Sequence, residues 1–153
     1  MKIKQVLAVS GVTGFFFDDQ RAIKAGAISD GFTYQGGPVT PGFSAIRQRG
    51  ESLSVMVELD DGCWVYGDCA AVQYSGAGGR DPLFLAEDYS QRVLPLLREF
   101  LVGRDLGCGF RQIMRDFYAW THNSEFPKHQ ALAYGVSQAM LAAVAAANGE
   151  TMA

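Results

Sequence analysis

Gly67-Asp68-Cys69-Ala70-Ala71-Val72-Gln73-Tyr74-Ser75-Gly76-Ala77-Gly78-Gly79-Arg80-Asp81-Pro82 runs from a strand-like segment through a glycine-rich turn to a helix start. The sequence before it leads up to this strand, and the sequence after it is mostly helical, so the stretch divides a β part from an α part and makes the fold class α+β. Ala70 and Ala71 leave little bulk around Gln73, a neutral amide that both donates and accepts hydrogen bonds. Gly76, Gly78 and Gly79 permit positive-φ turns. A strand end of this kind is suited to facing a ligand.

Working upstream, residues 63–67 (Cys-Trp-Val-Tyr-Gly) read as the returning strand of a hairpin. Asp60-Asp61-Gly62 supplies its turn, and the alternating, β-rich residues 52–59 supply the first arm. Residues 2–9 place Ile3, Val6, Leu7 and Val9 among lysine and glutamine, a further strand with one buried face, and the three strands make an antiparallel meander. Between them, residues 10–50 hold seven glycines before Gly50 together with Pro38 and Pro41, which predicts a loop of unusual length, the kind kept for function. Phe15-Phe16-Phe17 beside Asp18-Asp19-Gln20-Arg21 lies inside it. The simpler reading is that the rings anchor the loop to the core; the functional one is a flap with an aromatic tip that excludes water from a site.

Downstream, Asp81 is placed to cap a helix whose first residue is Pro82. Leu83, Leu85, Val93, Leu94, Leu97 and Leu101 follow at helical spacing, Pro95 is expected to kink, break or restart the helix, and Gly103 ends it. Phe110, Ile113, Met114 and Phe117 fall at i, i+3, i+4 and i+7, one face of a second helix that Trp120 extends. A third helix spans about residues 127–147, where Leu132, Val136, Met140 and Val144 are flanked by the small residues Gly135, Ala139 and Ala143, a face built for close packing. Asn148-Gly149 is its stop.

A length of 153 residues fits one domain spanning residues 1–153, and no repeat, low-complexity tract or linker divides it. A net charge of -3, from 13 basic and 16 acidic residues intermixed along the chain, offers no basic face for a phosphate backbone, so nucleic acid is not an expected partner. Three cysteines without a CxxC pair argue against a disulfide framework and a zinc site. The amino terminus lacks the apolar run of a signal peptide, and the alanine-rich residues 139–147 fall short of the roughly 20 needed to cross a bilayer. A cytoplasmic protein with no membrane association is the expectation.

No complete catalytic constellation emerges. Residues 76–80 lack the Gly-Lys-Ser/Thr of a phosphate cradle and read as a tight turn. His122 and His129 read as surface or capping histidines, and Cys63 and Cys69 as small buried thiols. Asp18-Asp19, Asp60-Asp61 and Glu87-Asp88 do not pair as acid and base or as metal ligands, and Asp68 reads as a structural hydrogen-bond partner.

Three segments carry a resemblance: residues 14–24 (Gly-Phe-Phe-Phe-Asp-Asp-Gln-Arg-Ala-Ile-Lys), residues 30–34 (Asp-Gly-Phe-Thr-Tyr), and residues 67–86. They are similar to methylaspartate ammonia-lyase of the enolase superfamily, with the strongest similarity over residues 1–86 and a weaker one extending to Tyr134-Gly135-Val136-Ser137-Gln138-Ala139. The resemblance implies an enolase-type amino-terminal capping domain, a three-stranded meander followed by a helical bundle, with the catalytic barrel absent from this sequence. It implies reversible loss of ammonia from 3-methylaspartate to give mesaconate, a step of glutamate degradation. Magnesium and the catalytic bases belong to the barrel, so this chain is expected to hold neither and to be inactive alone. Gln73 is assigned to substrate binding near the amino group, and residues 15–21 to a flap over the pocket. The expected partners are the barrel of the same enzyme, a small amino-acid substrate and a possible second copy of the chain. Two alternatives accompany this reading: a split lyase completed in trans by a barrel chain, and a non-enzymatic interaction module.

Overall fold

The first strand is longer than its pattern suggests. In a computed structural model that describes residues 1–29, 31, 34–71 and 81–152, β1 (Ile3–Phe17) runs 15 residues, through glycines that read as loop. It is held by antiparallel pairing with β4 (Arg47–Leu59), which continues to Phe17 opposite Arg47. The forty-residue loop expected over residues 10–50 therefore shrinks to the segment between these two strand ends. That segment contains the short helix α1 (Asp19–Lys24) and a minimal hairpin of β2 (Ile28–Ser29) with β3 (Tyr34–Gln35).

The hairpin at residues 60–62 forms as expected. Gly62 sits at φ 87, and the Cys63 carbonyl accepts from the Leu59 N–H at 2.8 Å. β5 (Trp64–Ala70) then pairs with β4, giving the strand order β1-β4-β5. Register places Val6 opposite Val57, Val55 opposite Gly67, and Leu53 opposite Cys69 on one buried face. Met56 faces Tyr66 and Glu58 faces Trp64 on the other, where Tyr66 and Trp64 are exposed.

Helices cover the buried face. α2 (Ala86–Leu101) presents Val93, Leu97 and Leu101 to the core, and Arg98 Nε donates to the Val6 carbonyl of β1 at 3.0 Å. It begins four residues after Pro82, and its first amide is capped from across the sheet, the Ala86 N–H donating to Glu51 Oε2 at 2.7 Å. Pro95 neither breaks nor restarts the helix: it lies on the exposed side, so the Gln91 carbonyl it leaves without a helical donor faces water.

A 3-10 turn at Leu106–Cys108 leads into α3 (Phe110–Asn123), whose Ile113, Met114 and Phe117 are buried as the spacing predicts. α4 (Gln130–Ala147) lies along β5 and ends at Asn148-Gly149 with Gly149 at φ 69. Its apolar composition is that of a core helix, nine of its residues being buried. The small-residue face expected for helix packing receives a strand instead. A Cβ on Gly67 of β5 would stand 2.2 Å from the Gly135 carbonyl oxygen of α4, a contact that no side chain permits.

Candidate functional site

Residues 15–21, read as a flap, begin as strand and continue as helix. Phe15 is exposed, Phe16 is fully buried and Phe17 is half-buried, so alternation along β1 disposes of the rings that seemed to need a loop. The base of the excursion between β1 and β4 is tied at two levels. The Arg47 guanidinium lies 5.1 Å from the Phe17 ring centroid and 5.3 Å from that of Tyr34, coupling the strand end to β3 by cation–π attraction. Asp18, fully buried, accepts from the N–H groups of Val39 and Thr40 and from the Thr40 hydroxyl, the last at 2.6 Å. Its own N–H donates to the Ile46 carbonyl at 2.7 Å, closing the excursion where the strands part.

Asp18 therefore fixes the returning limb of the excursion to its outgoing limb. Asp18→Ala would leave two amides and a hydroxyl without their acceptor, so an expected loss is about 2 kcal/mol in urea unfolding, with a smaller loss for Asp18→Asn, which retains a carbonyl acceptor.

The assigned substrate contact, Gln73, and the glycine turn at residues 76–80 lie outside the described residues. The residues that bracket them are informative. Ala70 ends β5, and beyond residue 80 the chain is caught by the start of α4. Asp81 does not cap the helix that follows it in sequence. Its Oδ2 accepts from the Gln130 N–H at 2.6 Å, placing a carboxylate at the positive end of the α4 dipole instead.

His129 completes the second cap. Its Nδ1 accepts from the Ala131 N–H at 3.1 Å, so the ring proton sits on Nε2, which donates to the Pro82 carbonyl at 3.0 Å. The imidazole meets the stacked rings of Phe84 and Tyr89 edge-on, at 5.1 and 5.3 Å. The capping role read for His129 holds, but the residue is buried rather than at the surface. His122 is exposed, with Nδ1 against the Tyr118 carbonyl. A half-open cavity of about 300 Å³ lies beside this clasp, with Phe117, Phe126 and Pro127 as its apolar floor and His122 and Lys128 at its rim.

The two cysteines read as buried separate in the structure. Cys63 is exposed, because it belongs to the hairpin turn and not to the strand. Cys69 is buried beneath α4, where loss of water, and then the neighbouring Asp68 carboxylate, pushes its thiol up to about 12. A thiol held so firmly in its neutral form is not a nucleophile. Asp68 serves the structural role expected of it, accepting from the Ser54 hydroxyl across the β4–β5 pair.

Among the described residues no three histidine, cysteine or acidic side chains gather into a metal-binding group. Asp18 and Asp81, the carboxylates that tie these two segments, are engaged by N–H donors. These residues do not fit a magnesium ion.

The architecture of a three-stranded sheet covered by helices has close counterparts among known proteins. The profile of the family described as "Methylaspartate ammonia-lyase N-terminus" matches residues 1–153. The methylaspartate ammonia-lyase of Clostridium tetanomorphum is 52% identical over 153 residues, all of this chain but 37% of that protein. The crystal structure of the Citrobacter amalonaticus methylaspartate ammonia-lyase containing (2S,3S)-3-methylaspartic acid superposes with a TM-score of 0.84 at 50% identity, over 99% of this chain and 36% of that one.

Two structures of the Clostridium tetanomorphum enzyme cover the same shares. They are a magnesium complex (49% identity, TM-score 0.82) and a Q73A variant (51%, 0.84). An enolase-superfamily protein from Agrobacterium tumefaciens shares the fold alone, at 12% identity and a TM-score of 0.61. The chain thus spans little more than a third of the length of the relatives it matches. Identity of this order across its full extent, over a matching α+β architecture, decides the family: the chain belongs to the methylaspartate ammonia-lyase N-terminal family.

Proposed function

We propose that this chain acts as the capping domain of a lyase that reversibly eliminates ammonia from 3-methylaspartate to give mesaconate. In this reading Gln73 contacts the substrate near its amino group, and the flap of residues 15–21 closes one side of the pocket. The observation that supports it is the 52% identity that runs over all 153 residues while accounting for 37% of the relative. A match that runs over the whole chain, to a family described as an N-terminus, corresponds to the amino-terminal part of the longer enzyme. In this reading magnesium, present in a structure of the Clostridium tetanomorphum enzyme, and the proton-abstracting bases belong to the remaining two-thirds of the enzyme. A neutral amide suits the amino-group end of the pocket, because it accepts from an amine without setting a fixed charge beside two substrate carboxylates.

The test is mesaconate formation from 3-methylaspartate. The 153-residue chain alone is expected to form none. Joined to the portion of the Clostridium tetanomorphum enzyme beyond the match, and supplied with magnesium, it is expected to be active. Turnover by the chain alone, or a folded joined protein without turnover, overturns the proposal.

A further inference from the structure

We propose that the half-open cavity between the last turn of α3 and the start of α4 is a binding site for a small carboxylate with an aromatic body. Its volume of about 300 Å³ lies at the lower end of the range for small-molecule pockets, room for one ring and a short arm. The floor is apolar and already in place. Phe126 packs edge-on against Phe117 at 5.4 Å and lies 5.5 Å from Trp120, so its ring is set by the core before any ligand arrives. Pro127 continues this floor, and Tyr118, 48% exposed, supplies a further ring to the lining. A flat ring suits such a surface, because offset and edge-on contacts between aromatic groups add to the area they bury.

Charge selects the head group. Lys128 and His122 stand at the rim, and among the described residues Lys128 forms no ion pair. His122 Nδ1 lies 2.6 Å from the Tyr118 carbonyl, which only accepts, so Nδ1 carries the ring proton. Nε2 is thereby left to accept from a ligand or, once protonated, to donate to one. Asp81 is the one carboxylate among the described lining residues, and it is already engaged. Its Oδ2 accepts from the Gln130 N–H at 2.6 Å and lies 3.5 Å from His129 Nδ1, where the positive end of the α4 dipole offsets its charge. The Lys128 ammonium is what remains without a counter-charge, and a carboxylate supplies one.

The test uses 3-phenylpropionate added to the 153-residue chain. With Trp64, the other of the two tryptophans, replaced by phenylalanine, Trp120 reports on the floor through its contact with Phe126. A saturable change in its emission is expected with a Kd of about 1 mM, the scale for a ligand of one ring in a half-open site. The neutral 3-phenylpropanamide and the cationic 2-phenylethylamine, which keep the ring and change the head, should bind at least about fivefold more weakly.

Lys128→Gln should weaken the acid about fivefold and leave the amide unchanged. Ala133→Leu, a partly exposed lining position, fills the cavity and should abolish binding of both at an unaltered urea midpoint. Should that variant be destabilised, Lys128→Gln, an exposed substitution, decides alone. No saturable change at about twenty times the expected Kd overturns the site. An amide or amine that binds as tightly as the acid, or an acid that binds Lys128→Gln as tightly as the parent, overturns the assignment of a carboxylate.

Discussion

Gly67→Ala is expected to destabilise the chain by about 3 kcal/mol or more, and Gly135→Ala by a similar amount, because the two glycines are where α4 touches β5 backbone to backbone. A Cβ on Gly67 would lie 2.2 Å from the Gly135 carbonyl oxygen and 2.5 Å from the Ala139 nitrogen; one on Gly135 would lie 2.4 Å from Cys69 Sγ and 2.6 Å from the Cys69 nitrogen. Most of these obstacles are main-chain atoms, and the Cys69 sulfur is itself fully buried, so no rotamer change relieves them.

Intrinsic propensity argues the other way for Gly135. Alanine in mid-helix is worth roughly 1 kcal/mol over glycine, so a gain would follow if packing did not intervene. Accommodating the methyl means lifting α4 from the sheet, which opens the interface holding Leu132, Val136 and Met140, and that loss outweighs the propensity gain. Gly14 has open space around its Cβ position and no positive φ, so Gly14→Ala is the matched control and should be near neutral. Urea unfolding of the three variants checks the ordering. A Gly135→Ala protein as stable as the parent would mean that α4 does not sit where the structure puts it.

The same glycines show what the sequence makes legible. Gly135, Ala139 and Ala143 at helical spacing announce close packing, and α4 delivers it, but periodicity within one helix does not say that the partner is a strand. The β4–β5 hairpin is legible because alternation and an Asp-Gly turn are both local signals. The α3 face is legible because Ile113, Met114 and Phe117 obey one period.

The distal half of β1 is illegible for a physical reason. Gly11 and Gly14 lower its local strand preference, and the ladder to residues 47–52 that overrides this comes from far along the chain. Asp81-Pro82 is a sound helix-start signal that the fold spends elsewhere, since Asp81 caps a helix 49 residues away. Asp18 and His129, buried polar residues that tie the 18–46 excursion and the start of α4, gave no local sign of burial. Asp18 follows three phenylalanines into what reads as loop, and His129 reads only as a cap. Each is buried because distant main-chain groups meet it, a property of the fold and not of its neighbours in sequence.

Phe117→Ala should cost about 3 kcal/mol. Phe117 is 1% exposed and is the hub of an aromatic group, its ring centroid 5.4 Å from Phe126, 5.7 Å from Phe100 and 5.9 Å from Trp120. Deleting the ring removes its transfer free energy and its edge-to-face contacts, and leaves the ring contact between α3 and Phe126 to Trp120, 5.5 Å away. The cost is placed at the low end of the range for buried phenylalanine because Phe117 also lines the half-open 300 Å³ cavity. Space vacated there communicates with solvent and fills with water, so no sealed void results.

Phe15→Ala supplies the contrast. Phe15 is 42% exposed near the end of β1, and its replacement should cost under about 1 kcal/mol in the same unfolding measurement. Trp120 fluorescence should report the Phe117 change directly, since Trp120 stacks on Phe100 at 4.7 Å within the same group. A Phe117→Ala protein that unfolds at the parental urea concentration would mean that the α3 face is held by the helix termini alone. In that case the cap at His129, five residues beyond the α3 C-cap, would be the stronger constraint on the 124–129 connection.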